Sequence, residues 1–238
     1  MLSLVFSDGQ RPRLDSLVSL AGRTRGPVPF ALSHIPGEEE NWVELLASGL
    51  TFDCSGLAPD APAAMPGKGA LLGLHEIPPG EAIALEPSPH LAEGRGLLPV
   101  VRALVGLGSQ IGELPGFQAA FWQPAQCWMA AKYFRGIAAE WLAGGAFPGL
   151  GLVSLQRERD GAMISVGLDY LIDQEIYFAA NRRLEPASAA RIAVRLIHSL
   201  VASGPLKSAS EFVGPEGEVL LVEPIHLGRR LKVSLMRT

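Results

Sequence analysis

The densest group of polar and aromatic side chains lies between residues 122 and 133, where a predicted strand leads into a predicted helix. Its members are Trp122, Gln126, Cys127, Trp128, Lys132 and Tyr133. The first backbone N–H groups of a helix have no partner inside the helix, so they can bind an anion. Tryptophan and tyrosine are also common anchors of protein interfaces. We therefore predict a ligand or partner site here; the alternative is that these aromatic side chains cover the edge of the core.

Cys127 would stand at the start of that predicted helix, where the pKa of a thiol can be lowered. The sequence identifies no base for it, so a catalytic thiol is the weaker interpretation. The chain contains only two cysteines, too few for a disulfide scaffold. This cysteine usage favours a reduced, cytoplasmic protein.

Two further candidates lie outside this segment. His75 stands next to Glu76 at the end of a predicted strand and is the best site candidate among the histidines. Asp169, Asp173 and Glu175 surround one predicted turn. Carboxylates that lie close together can raise one another's pKa for acid–base chemistry, or they can bind a divalent cation. More often, acidic residues at a turn are simply hydrated.

Signature motifs of the common catalytic classes are absent from the sequence. It has no Walker loop, nucleophile elbow, zinc-protease motif or C-x-x-C pair. The five histidines are too scattered for a local pair of metal ligands, and we predict neither a metal nor a cofactor. The glycines of residues 106–112 end a predicted helix, whereas a nucleotide-binding loop must begin one. These absences lean against an enzyme.

The charge balance argues against nucleic acid as a partner. The chain has 20 Lys and Arg against 24 Asp and Glu, so it has no positive excess to neutralise phosphates. No uncharged stretch reaches the roughly 20 residues needed to span a bilayer, and we expect no membrane contact. The hydrophobic fraction of 48% indicates a well-filled core and is compatible with a subunit interface.

Hydrophobic periodicity predicts two halves with a similar order of elements. In the first half it predicts strands at 2–7, 28–35 and 50–57, a pair of strands within 70–86, and helices at 13–21 and 97–111. In the second half it predicts strands at 117–122, 151–157, 162–170 and 175–180, helices at 128–143 and 186–203, and late strands at 218–222 and 230–236.

This order predicts an α+β fold of two ferredoxin-like βαββ-type halves, residues 1–112 and 113–238. Mostly antiparallel sheets would carry helices on their outer faces, and an internal duplication would explain the repeated order. The alternative is one compact fused domain with a longer mixed sheet.

Short motifs at the ends of these elements support a resemblance for residues 117–237. They are the run at 120–124 before a helix, the run at 147–151 before a strand, the Val-Gly-Leu run at 166–168, and Pro186 at a helix start. This stretch resembles an uncharacterised bacterial family, domain of unknown function 4261. The resemblance implies a bacterial α+β protein and brings no activity or catalytic residue with it.

We interpret the chain as a non-enzymatic interaction or accessory protein of the immunity type, with a protein partner or a second copy of itself. The alternative is a small-molecule-binding protein or enzyme with a pocket between the halves, using residues 122–133 and His75. An enclosed pocket with converging polar groups would favour the alternative. A flat aromatic patch with a polar rim would favour the interaction protein.

Overall fold

The computed structural model of the chain describes residues 1–22, 28–35, 37, 42–179 and 185–236. It confirms the α+β class, with two sheets that are mostly antiparallel. The chain divides into two compact units, Met1–Gly145 and Ala146–Thr238. Among the described residues, no helix combines the length and the apolar character needed to cross a membrane.

The first unit is built on an eight-stranded sheet with the order β2-β3-β4-β6-β1-β7-β8-β5. The strands are β1 (Leu2–Phe6), β2 (Phe30–His34), β3 (Trp42–Ala47), β4 (Leu50–Ser55), β5 (Ala70–Leu72), β6 (Glu81–Pro87), β7 (Phe117–Trp122) and β8 (Cys127–Ala130). Neighbouring strands are antiparallel except β5, which runs parallel to β8. β1 is buried along its whole length and pairs with β6 on one side and β7 on the other.

Helices pack against strands of this sheet. They are α1 (Leu14–Ala21), α2 (Leu98–Ile111) and α3 (Ala131–Leu142), with a 3-10 helix at Pro89–Gly94. α2 packs against both β1 and α3. Its approach is close at Gly108, where a Cβ atom would lie only 2.5 Å from the Leu2 side chain. Pro99 lies in the first turn of α2, where a missing N–H disturbs no helical hydrogen bond.

Coil residues pack against the face of β1 that is opposite to α2. Because successive strand residues point to opposite faces, Val5 faces away from the side that Leu2 presents to α2. Val5 belongs to a buried cluster with Phe121 and Trp128, against which Ala63 of the 56–69 connection packs. A buried cation holds this connection in place. The Arg11 guanidinium donates hydrogen bonds to the carbonyls of Gly56 and Asp60.

The second unit contains a six-stranded sheet with the order β12-β13-β14-β11-β10-β9. The strands are β9 (Ser154–Arg157), β10 (Met163–Val166), β11 (Glu175–Phe178), β12 (Ser210–Val213), β13 (Val219–Ile225) and β14 (Arg230–Leu235). The pairing is antiparallel except between β11 and β14. The long helix α6 (Pro186–Ser203) packs against β11 through its apolar face. The short helical segments α4 (Gly149–Leu152) and α5 (Asp169–Ile172) complete the unit.

The largest difference from the predicted elements is at residues 127–130. The predicted helix 128–143 begins only at Ala131, because the preceding residues form β8 and pair with β7. The strands predicted within 70–86 do not pair with each other: β5 lies beside β8, and β6 lies between β1 and β4. The predicted strand 162–170 stops at Val166, and the chain then turns into α5. Residue 180, at the end of the predicted strand 175–180, lies outside the described residues.

The boundary between the units also differs from the predicted one. The sequence places it at residues 112/113, whereas the structure places it at 145/146. The reason is the pairing of β7 with β1, which joins residues 117–122 to the first sheet. The two sheets have different strand orders, and neither the ferredoxin-like halves nor the internal duplication is confirmed.

Candidate functional site

The two tryptophans of the predicted patch lie in the core. Trp122 and Trp128 are fully buried. The Trp128 ring lies 5.0 Å from the ring of Phe121, and its indole N–H donates a 2.9 Å hydrogen bond to the carbonyl of Gly67. Trp128 therefore fastens the coil connection onto the sheet. For these two residues the structure favours the alternative of core packing over a surface anchor.

Cys127 and Gln126 also have local roles. Cys127 is buried on β8, and burial raises the pKa of its thiol to about 12. This is the reverse of the predicted lowering, because the residue lies on a strand and not at a helix start. Gln126 lies in the β7–β8 turn with a φ of 48°, and its side-chain amide donates to the carbonyl of Gln123 at 2.8 Å.

The remaining candidates of this set differ in their exposure. His75 is exposed in the coil after β5. Tyr133 is half-buried on α3; its burial raises the pKa of the hydroxyl, and the nearby Cys127 raises it further. Lys132 is exposed in the first turn of α3. The structure therefore does not assemble these side chains into one site with the tryptophans.

The acidic cluster is assembled in part. One Glu175 carboxylate oxygen accepts hydrogen bonds from the backbone N–H groups of Gly167 at 2.7 Å and Asp169 at 3.2 Å. The other accepts from the Ser165 hydroxyl. Burial, reinforced by the Asp169 carboxyl group, raises the pKa of Glu175 to about 7 despite the Ser165 hydrogen bond. Asp173 is exposed and ends α5 with a φ of 58°.

This arrangement holds the loop that connects β10 to β11. Both oxygens of Glu175 are engaged by residues of that loop or of β10, which leaves the carboxyl group committed to local structure. Within the described ranges, no three His, Cys, Asp or Glu side chains are grouped so that they could hold a metal ion.

A groove of ≈ 690 Å³ lies in the first unit, between the last turn of α2 and one face of α3. We call it the helix groove. Its lining includes Ser109, Glu113, Phe117, Lys132, Arg135 and Gly136. The closely packed pair of α2 and α3 brings Ser109 and Glu113 to one wall and the other polar residues to the facing wall.

Two basic side chains face the helix groove. Lys132 and Arg135 are three residues apart, so they lie on the same face of α3. Neither forms an ion pair with any residue that the structure describes. The acidic residue Glu113 lies on the opposite wall and is also exposed. The groove thus has a basic wall and a single acidic group facing it.

Three further features of the groove favour a polar ligand. The first turn of α3 has no side-chain cap, since its N-cap residue is Ala130. On the facing wall, Ser109 lines the groove and is only 6% exposed. A Cβ atom at Gly136 would meet nothing within 4 Å. The spacing of Lys132 and Arg135 is visible in the sequence, but the contribution of Ser109 depends on how α2 packs against α3.

A second, smaller cavity of ≈ 270 Å³ lies in the second unit, between α6 and β12. Its lining is largely apolar, with Ile192, Leu196 and Phe212. The guanidinium of Arg195 at its edge already donates a 3.2 Å hydrogen bond to the carbonyl of Val213. The helix groove is therefore the better candidate site, because Lys132 and Arg135 form no ion pair with any described residue.

Comparisons with protein-family models, with curated proteins and with solved structures found no match to this chain, so they assign it to no family.

Proposed function

We propose that the chain is a non-enzymatic interaction protein that binds an extended segment of a partner protein in the helix groove. The observation that carries this proposal is the open position at Gly136, in the middle of a helical wall. As part of the same proposal, the protein belongs to the bacterial cytoplasm and is related to domain of unknown function 4261.

Gly136 is unfavourable for α3 on its own. A glycine inside a helix costs about 1 kcal/mol relative to alanine. Close packing explains other glycines of this unit: a Cβ atom at Gly106 would lie 2.2 Å from the Val28 side chain. Among the described residues, no atom lies within 4 Å of a Cβ atom placed at Gly136. Because residue 136 has no side chain, this wall of the groove leaves space for a ligand, whereas packing within the fold does not require a glycine there.

The shape of the helix groove favours a segment of chain. Its lining follows α3 from Ala131 to Ala139, a distance of about 12 Å along the helix axis. Three or four extended residues would cover roughly this length. The basic wall is complementary to an acidic segment, and the open side leaves room for the partner to continue beyond the groove.

The test is partner capture with a blocked groove. Gly136→Phe adds a large side chain at a groove position where a Cβ atom meets no described atom within 4 Å, whereas Gly67→Phe places the same side chain at another exposed, open glycine of this unit. The full chain and both variants would be immobilised, and retained proteins cross-linked and mapped by mass spectrometry. We expect cross-links to α3 with wild type and Gly67→Phe, and their loss with Gly136→Phe.

Capture that is equal for all three proteins would contradict the proposal. So would native mass spectra in which a bound metabolite is the ligand that Gly136→Phe removes. A second copy of the chain in the groove, seen as a dimer that Gly136→Phe dissociates, would replace the partner protein with self-association.

A further inference from the structure

Resting on the proposed function, we infer that the helix groove recognises one carboxylate side chain of the partner segment, an aspartate or glutamate, at the first turn of α3. The groups that would hold this carboxylate are Lys132, Arg135, Ser109 and the backbone N–H groups at the start of that turn.

The basic side chains supply the attraction. Arg135 presents a planar guanidinium that can donate two parallel hydrogen bonds to the two oxygens of a carboxylate. Lys132 adds a second positive charge on the same helix face. Since neither residue has an ion-pair partner among the described residues, no internal contact must be broken before the ligand binds.

The uncapped start of α3 and the Ser109 hydroxyl supply further donors. The N–H groups at the start of a helix have no partner within the helix, and the helix dipole favours negative charge there. Ser109 lines the same groove from the α2 side, and the residue is nearly buried. A serine hydroxyl can donate a hydrogen bond to a ligand oxygen in the groove.

Glu113 narrows the choice of ligand. It lines the same groove and would repel a ligand with several negative charges. The whole chain also has a net charge of −4, so attraction to anions is local to the basic wall. These charges favour a single carboxylate over a polyphosphate. The Phe117 ring and the space at Gly136 would take an apolar residue beside the carboxylate.

The test uses defined peptides and the isotope-labelled full chain. One blocked pentapeptide carries a central glutamate between leucines, a second has glutamine in its place, and inorganic phosphate is the third probe. Backbone N–H resonances of Ala131 and Lys132 report on binding. We expect the glutamate peptide to move them and to bind about tenfold more tightly than the glutamine peptide, as for a pair of moderate charge contacts.

Variants assign the contacts. The double variant Lys132→Gln with Arg135→Gln should lose about tenfold in affinity for the glutamate peptide. Arg159→Gln with Lys207→Gln removes the same charge from exposed sites of the second unit and should leave the affinity unchanged. Ser109→Ala should weaken binding about threefold, and Glu113→Gln should strengthen it.

The outcomes separate this inference from the proposed function. Equal binding of the glutamate and glutamine peptides would overturn the inference, as would tighter binding of phosphate than of the glutamate peptide. An equal loss in the control double variant would overturn it too, since the effect would then be one of net charge. If Gly136→Phe still abolishes partner capture, the groove remains the binding surface without carboxylate recognition.

Discussion

Replacing Glu175 with glutamine should remove a pH dependence from the stability of the second unit. The native environment raises the pKa of this carboxyl group from 4.5 to about 7, chiefly through burial. Between these two values the folded chain binds more protons than the unfolded chain. Stability contributed by the protonated carboxyl group is therefore complete below about pH 4.5 and is lost as the pH rises towards 7.

The size of the effect follows from the same two values. Their separation, at 1.36 kcal/mol for each pH unit, corresponds to about 3 kcal/mol. Glu175 is partly solvent-exposed, so solvent screening reduces the expected loss to about 1–2 kcal/mol. Glutamine stays neutral at every pH and can still accept hydrogen bonds from Gly167 and Asp169. We expect Glu175→Gln to be the more stable protein at pH 8.

The assay is urea unfolding at pH 5 and pH 8, followed by resonances of the second unit. Between pH 5 and pH 8, the free energy of unfolding of wild type should fall by about 1–2 kcal/mol more than that of Glu175→Gln. Glu158→Gln, at the exposed β9–β10 hairpin, is the matched control and should follow wild type. An equal change in the free energy of unfolding between pH 5 and pH 8 for wild type and Glu175→Gln would refute the reasoning. A directly measured Glu175 pKa near 4.5 would also refute it.

Three further predictions concern the first unit. Arg11→Met should lower the free energy of unfolding by about 3 kcal/mol, because it leaves the carbonyls of Gly56 and Asp60 without their donor; urea denaturation measures this. Gly136→Ala should raise the stability by up to about 1 kcal/mol in thermal unfolding, since nothing opposes the added methyl group. Cys127, with a thiol pKa of about 12, should react with a thiol reagent at pH 8 only when the chain unfolds.

Each of these has an outcome that contradicts it. An unchanged urea midpoint for Arg11→Met would mean that the coil connection does not depend on the guanidinium. Loss of stability in Gly136→Ala would show that the groove wall is packed in solution. Reaction of Cys127 in the folded protein as fast as in urea would show that β8 opens readily.

Secondary structure is predicted correctly from the sequence where the hydrophobic pattern fits only one type of element. α6 has Pro186 at its start and an apolar stripe through Ile192 and Leu196, and the structure confirms the predicted bounds 186–203. β1 is likewise confirmed as a buried strand. At residues 128–130 the same kind of reasoning fails. Apolar residues there fit a helix as well as a strand, and pairing with β7 decides between them.

The residues of the candidate site are likewise only partly predictable from the sequence. Lys132 is found from the sequence because it stands near a predicted helix start. Trp122 and Trp128 are chosen for their residue type, yet burial places them in the core. Ser109 and Glu113 could not be found, since their place in the groove depends on the packing of α2 against α3. Contacts between distant segments of the chain therefore account for most of what the sequence misses.

The central position of β1 affects how the first unit can form during synthesis. One of the two neighbours of Leu2–Phe6, the strand Phe117–Trp122, is translated more than 100 residues after it. Until then one edge of the nascent strand has no partner, and an unpaired apolar edge can associate with other chains. The sheet of the first unit can therefore be completed only after Trp122 has emerged. Any nascent fragment that ends before Phe117 exposes the unpaired edge of β1.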